Sequence, residues 1–204
     1  MIERSFFWKS CQIIARLGTT LLFDLKVYGK ENVPRTGGAL LVANHQSYID
    51  PVAVAVQLTR PVSYMAKSEL FENPHFRWLI RSLHAFPVQQ GKGDVGAVKE
   101  VIRRLGDGHI VNIYPEGSRT DDGEIAKLEK GIALIIRKIS VPVIPVAIDG
   151  SFDAWHKDWA IFRRHPIRVK FGKPVFFKNK KGDEIVRELE SRMRSLLTEL
   201  RAMR

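Results

Sequence analysis

One cysteine, Cys11, occurs in 204 residues. A lone cysteine excludes an intrachain disulfide framework and any zinc site built on paired C-x-x-C motifs, and it suits a reducing compartment. Long apolar runs are missing too: no stretch reaches the roughly 18–20 residues that a membrane-spanning helix needs. The N-terminus does not read as a signal peptide, because Lys9, Gln12 and Arg16 interrupt the apolar stretch that Phe6, Phe7 and Trp8 begin. No Walker A pattern is present, which disfavours nucleoside triphosphates. There is no G-x-S-x-G elbow either, so Ser47 and Ser118 lack the context of a serine nucleophile. Without repeats, low-complexity tracts or linkers, the chain reads as one domain with a sizeable core.

What is present is positive charge, unevenly placed. The net charge is +11. Residues 151–181 carry nine Lys/Arg against Asp153 and Asp158, and residues 1–30 carry five against Glu3 and Asp24. Both segments are rich in aromatics: Phe6, Phe7, Trp8, Phe23 and Tyr28 in one, Phe152, Trp155, Trp159, Phe162, Phe171, Phe176 and Phe177 in the other. Basic and aromatic side chains together attract an anionic membrane surface. They equally attract nucleic acid, and composition does not choose between the two.

Apolar periodicity predicts strands over 25–28, 39–43, 62–66, 85–88, 110–114, 141–148 and 167–171. Helical patterns alternate with them at 74–83, 95–105, 128–139 and 183–203. Pro142 and Pro145 assign 141–148 to an edge or irregular position. The alternation predicts an α/β fold, a mostly parallel twisted sheet covered by helices on both faces. Residues 1–24 form a separate amphipathic segment ahead of the domain at 25–204, with Ile13, Ile14, Leu17 and Leu21 at helical spacing and Gly18 as a weak point. Such a helix packs on the domain, or lies in a bilayer interface anchored by Phe6, Phe7 and Trp8; different faces can do both.

Chemistry concentrates where strands end. Asn44-His45-Gln46-Ser47-Tyr48-Ile49-Asp50-Pro51 follows the apolar run at 39–43. Asp50 before Pro51 reads as an N-cap with proline at the first helical position. His45 therefore leaves a strand and Asp50 begins the next helix, at the sheet edge where α/β folds bind ligands. The pair reads either as a base with its orienting carboxylate or as a plain cap beside a polar loop histidine. Tyr114-Pro115-Glu116-Gly117-Ser118-Arg119 ends another strand. There Arg119 can grip a phosphate bidentately and Gly117 permits close backbone approach, or the segment is a turn with a solvated arginine. Lys67, after 62–66, adds a point charge at the same edge.

Taken together these blocks resemble the 1-acylglycerol-3-phosphate O-acyltransferase family of glycerolipid acyltransferases. Asn44-His45-x4-Asp50 is similar to the family's N-H-x4-D, Lys67-Ser68-Glu69-Leu70 to its K-x-E-L, and Tyr114 to Arg119 to its F-P-E-G-T-R. Ala85-Phe86-Pro87-Val88, Lys130-Gly131 and Val141 to Val146 follow the same order, so the resemblance spans about residues 25–175. It implies that His45 is the general base, oriented by Asp50, and that Arg119 and Lys67 hold the acceptor's phosphate in a pocket shaped by Glu116, Gly117 and Ser118. It implies acyl transfer from acyl-CoA or acyl carrier protein to a lysophospholipid, first of all 1-acylglycerol 3-phosphate, giving phosphatidic acid in phospholipid biosynthesis. No metal, cofactor or nucleic acid is implied. The partners are the lipids, the acyl donor and a membrane surface, which the protein meets peripherally on the cytoplasmic side. One departure bears on the acceptor: Gln90 stands where the family commonly has an arginine, with Lys92 nearby.

Overall fold

Burial with period two builds the sheet. Every residue of β2 (Ala39–Ala43) is buried; Leu40 and Val42 enter one core cluster, and Ala39, Leu41 and Ala43 enter the other. Successive strand side chains point to opposite faces, so a strand apolar throughout must be covered on both. The computed structural model describes residues 6–88 and 95–203. Gln90 and Lys92 lie outside the described residues.

Seven strands form one sheet in the order β1-β7-β6-β2-β5-β3-β4. The strands β6 (Val143–Asp149), β2, β5 (Ile110–Ile113), β3 (Val62–Lys67) and β4 (Ala85–Val88) pair in parallel. β7 (Arg168–Phe171) runs antiparallel to β6, and β1 (Lys26–Tyr28) pairs parallel to β7. Three helices cover the face of Leu40 and Val42: α4 (Val95–Gly106), α5 (Gly131–Ile136) and α7 (Gly182–Arg201). Phe23 of α1 (Phe6–Phe23), Ala53 and Val54 of α2 (Asp50–Ala55) and Ala154 of α6 (Ser151–Ala154) pack on the other face. α3 (Pro74–Ser82) precedes β4 and packs against it.

Two sequence expectations are corrected here. β6 is neither an edge nor irregular: all seven of its residues are buried, and it lies between β2 and β7. Proline is tolerated because it sits where the β7 ladder has ended. Phe171, the last residue of β7, pairs with Val146, and the Pro145 carbonyl accepts from Gly172 N at 2.8 Å. The missing N–H falls at a ladder terminus, where it leaves little unpaired. The second correction concerns α1. Trp8, a bilayer anchor in one of the two readings of this helix, is buried, as are Thr19 and Phe23, while the Gln12 amide donates to Leu58 O at 2.7 Å. Positions 8, 12, 15, 19 and 23 thus form the inward face, and Gly18 does not interrupt the helix. The apolar stripe of Ile13, Ile14, Leu17 and Leu21 points outward, with Ile14 69% and Leu21 70% exposed.

Candidate active site

β2 and β5 are neighbours, so the loops leaving their C-terminal ends meet. Asn44, the first residue past β2, continues the sheet with its side chain. Its amide donates to Ile148 O at 2.9 Å and its Oδ1 accepts from Ile148 N at 2.7 Å. That fixes where His45 emerges. The His45 N–H donates to Glu116 Oε1 at 2.7 Å, and its carbonyl accepts from Thr120 N at 2.9 Å. The loop after β5 therefore holds the His45 peptide from both sides. The imidazole lies flat on the Tyr114 ring, with centroids 4.1 Å apart and planes 17° apart.

Nδ1 of His45 faces Asp50 Oδ2 at 2.8 Å. An ionised carboxylate only accepts, so Nδ1 carries the proton and Nε2 keeps the lone pair. Asp50 is fully buried, and the same oxygen accepts from Gln46 N at 2.6 Å and Ser47 N at 2.7 Å. Three donors thus converge on Oδ2, while Oδ1 is buried with no hydrogen-bond partner among the described residues. The expected helix cap is corrected: Ile49 occupies the cap position without a side-chain bond, and the Asp50 carboxylate turns back to the loop. Pro51 removes one of the amides that a cap would serve, and the loop supplies three donors instead.

The Tyr114-to-Arg119 segment divides its work. Both Glu116 oxygens are occupied, Oε1 by His45 N and Oε2 by Ala126 N at 2.7 Å. Glu116 therefore clamps two loops together. Burial pushes its carboxyl up from 4.5 to about 6, against the lowering effect of the Ala126 and His45 amides. A raised carboxyl pKa contributes stability that is full below pH 4.5 and is lost as pH rises through 6, by up to about 2 kcal/mol. Glu116→Gln removes that titration, so its stability from denaturant melts should vary less than wild type between pH 4.5 and 7. Equal slopes for the two proteins would contradict the assignment. Gly117 adopts φ +74° in the turn that its N–H closes onto Tyr114 O at 3.2 Å, a conformation that favours glycine. Ser118 is exposed.

The Arg119 guanidinium lies over the Tyr48 ring, 3.6 Å from its centroid, and its Nη1 is buried without a partner among the described residues. Lys67 ends β3 exposed at the same sheet edge, two strand spacings or about 10 Å from β2. Burial, reinforced by the Asp50 charge, pushes the Tyr114 phenol well above its ordinary value, so the ring under His45 stays neutral. Among the described residues, no group of three His, Cys, Asp or Glu side chains is placed to hold a metal ion.

Several participants escaped the sequence reading. Tyr48 stacks on the Arg119 guanidinium and Tyr114 on the His45 imidazole. Gln46 bridges Gly123 O and Ser151 Oγ, at 2.7 and 3.1 Å. Ser47 is buried and gives its hydroxyl to Trp155 O at 2.6 Å, which removes it from nucleophile duty. Lys157, paired with Asp121, feels the charge of Arg119. Gln46 and Tyr48 lie inside the H-x4-D block, yet polar residues just past a strand carry no signal that separates a buried bridge from a solvated loop.

Residues 24–149 match the family model described as Acyltransferase. A 1-acyl-sn-glycerol-3-phosphate acyltransferase of Bacillus subtilis is 30% identical over 169 residues, covering 82% of this chain and 82% of that protein. One from Streptococcus pneumoniae is 30% identical over 162 residues, covering 76% of this chain and 58% of that protein. The crystal structure of the 1-acyl-sn-glycerophosphate acyltransferase PlsC of Thermotoga maritima superposes with a TM-score of 0.84 at 28% identity, covering 98% of this chain and 85% of that one. A family match over more than half of the chain, a shared sheet and two similar bacterial enzymes agree: the protein is an O-acyltransferase that belongs to the acyltransferase family, alongside the 1-acyl-sn-glycerol-3-phosphate acyltransferases.

Proposed function

We propose that the protein transfers a fatty acyl chain from an acyl thioester, acyl-CoA or acyl carrier protein, to the free hydroxyl of 1-acylglycerol 3-phosphate. The product is phosphatidic acid, a step of phospholipid biosynthesis. The observation that carries the reading is the His45–Asp50 hydrogen bond of 2.8 Å together with the Arg119 Nη1, which lacks a partner among the described residues. His45 Nε2 takes the proton of the acceptor hydroxyl as that oxygen attacks the thioester carbonyl. The buried Asp50 carboxylate stabilises the imidazolium that forms. The tetrahedral adduct collapses, the C–S bond breaks, and the imidazolium returns its proton to the leaving thiolate. Arg119, with Lys67 further along the edge, grips the phosphate and sets the hydroxyl within reach of Nε2. The names of the relatives support this acceptor.

The setting is the cytoplasmic face of a membrane, held peripherally. The outward stripe of α1 supports this, together with exposed Trp78, which packs against Phe7, and exposed Ile161 and Phe162. Phe162 packs on Phe23, and the Arg164 guanidinium donates to Leu21 O, so the basic–aromatic segment adjoins α1. No helix among the described residues is long and apolar enough to cross a membrane. Apolar area beside basic side chains is what an interfacial helix presents to anionic lipid. Ile14→Glu/Leu17→Glu should cut flotation with anionic vesicles more than about tenfold and leave the melting temperature near wild type. Undiminished flotation would place the membrane contact elsewhere.

The acceptor is tested by mass spectrometry of products from a mixed panel of lysolipids with acyl-CoA and acyl carrier protein. Phosphatidic acid as the main product is expected. Preferential acylation of a lysolipid without a terminal phosphate would overturn the reading.

A further inference from the structure

The position of Arg119 depends on a residue at one of the four unspecified positions of the H-x4-D block. Its guanidinium carbon sits 3.6 Å from the centroid of Tyr48, close enough for face-on stacking. The opposite demand comes from its edge: Nη1 is buried and lacks a partner among the described residues. A guanidinium donates only in its own plane, so a ring that occupies one face leaves the N–H fork free to meet an anion edge-on. A buried N–H without an acceptor costs free energy, which a phosphate oxygen arriving in that plane would recover.

Tyr48 itself is 52% exposed, so a tight core does not hold its ring in place. It is braced by Trp155, at 5.7 Å between centroids and 52° between planes. Trp155 is fixed in turn, since Ser47 donates to its carbonyl at 2.6 Å and its indole N–H donates to Trp159 O at 3.2 Å. Trp155 also packs on Phe162 at 5.9 Å, and Phe162 on Phe23 of α1 at 5.4 Å. A row of aromatic contacts thus runs from the outward helix to the arginine.

We propose that Tyr48 is a positioning residue whose ring holds the Arg119 guanidinium edge-on to the phosphate of the acceptor. This rests on the reading of Arg119 as the phosphate grip. It predicts a defect in acceptor affinity and not in chemistry, because Tyr48 contacts neither imidazole nor carboxylate of the His45–Asp50 pair in the hydrogen bonds described.

The test is a double-mutant cycle, read as kcat and KM for 1-acylglycerol 3-phosphate in mixed micelles at saturating acyl donor. Tyr48→Leu keeps apolar bulk and removes the π face; it should raise KM roughly tenfold with kcat within about twofold of wild type. Tyr48→Ala should match it. Tyr48→Phe retains the face and should restore the wild-type KM. In an Arg119→Ala background, Tyr48→Leu should add nothing. A fall in kcat at unchanged KM, failure of Tyr48→Phe to rescue, or the same KM increase with and without Arg119 would each overturn the proposal. If Arg119→Ala alone leaves KM unchanged, the phosphate reading fails and this proposal fails with it. If Arg119→Ala raises KM but Tyr48→Leu does not, the phosphate reading stands and only the role of Tyr48 is lost.

Discussion

His45→Ala should lower kcat by roughly 10^2–10^4-fold, the range a positioned general base supplies. In the proposed reaction the acceptor hydroxyl is a weak nucleophile while protonated and a thioester donor is already activated, so removing that proton would be the main chemical task left to the protein. The imidazole is about one-fifth exposed, and its loss takes one bond from Asp50 Oδ2, which keeps the Gln46 and Ser47 amides. Stability should therefore fall by only about 1 kcal/mol. His45→Gln is the control: it fills the same space, can still donate towards Asp50, and cannot take up the proton. It should be as inactive as alanine. A kcat within tenfold of wild type in either variant would remove His45 from the base role.

The parts of the fold visible in the sequence are those set by short-range pattern. β2 and β4 fall on their predicted residues, because each is a short apolar run bounded by turn residues. The proline rule places β6 at an edge because it acts on single strands, while its exception depends on where the neighbour β7 stops. α1 was legible as a helix but not in its facing. Its apolar residues encircle it, and which of them are inward depends on Gln12 and Trp8 finding partners across the fold. The site shows the same division. His45, Asp50, Glu116 and Arg119 lie in motifs, yet only the structure separates a clamp such as Glu116 from an arginine with a free edge. The polar atoms of Glu116 are spent on backbone amides from two loops, a fact that depends on the β2–β5 adjacency and has no local signature.

Asp50→Ala should be the most damaging single change, because it strikes stability and chemistry together. Three donors converge on one oxygen of a carboxylate with no exposed surface. Alanine leaves the Gln46 and Ser47 amides buried without an acceptor, at a cost of about 3 kcal/mol, and releases the loop that carries His45. It also frees the imidazole tautomer and removes the charge that stabilises the imidazolium, which should lower kcat on the order of 10^3-fold. Asp50→Asn separates the two effects. An amide oxygen still accepts from Gln46 N and Ser47 N, so most of the stability should return; the negative charge does not, so the activity should stay low. In the double variant His45→Ala/Asp50→Ala, kcat should fall no further than in the worse single variant, because the pair acts as a unit. Its stability loss should follow the Asp50 substitution alone, since the amides of Gln46 and Ser47 are orphaned whether or not the imidazole is present. Multiplying losses in kcat would show that the two residues act separately, and full stability of Asp50→Ala would show that the loop is held by Glu116 and Thr120 without it.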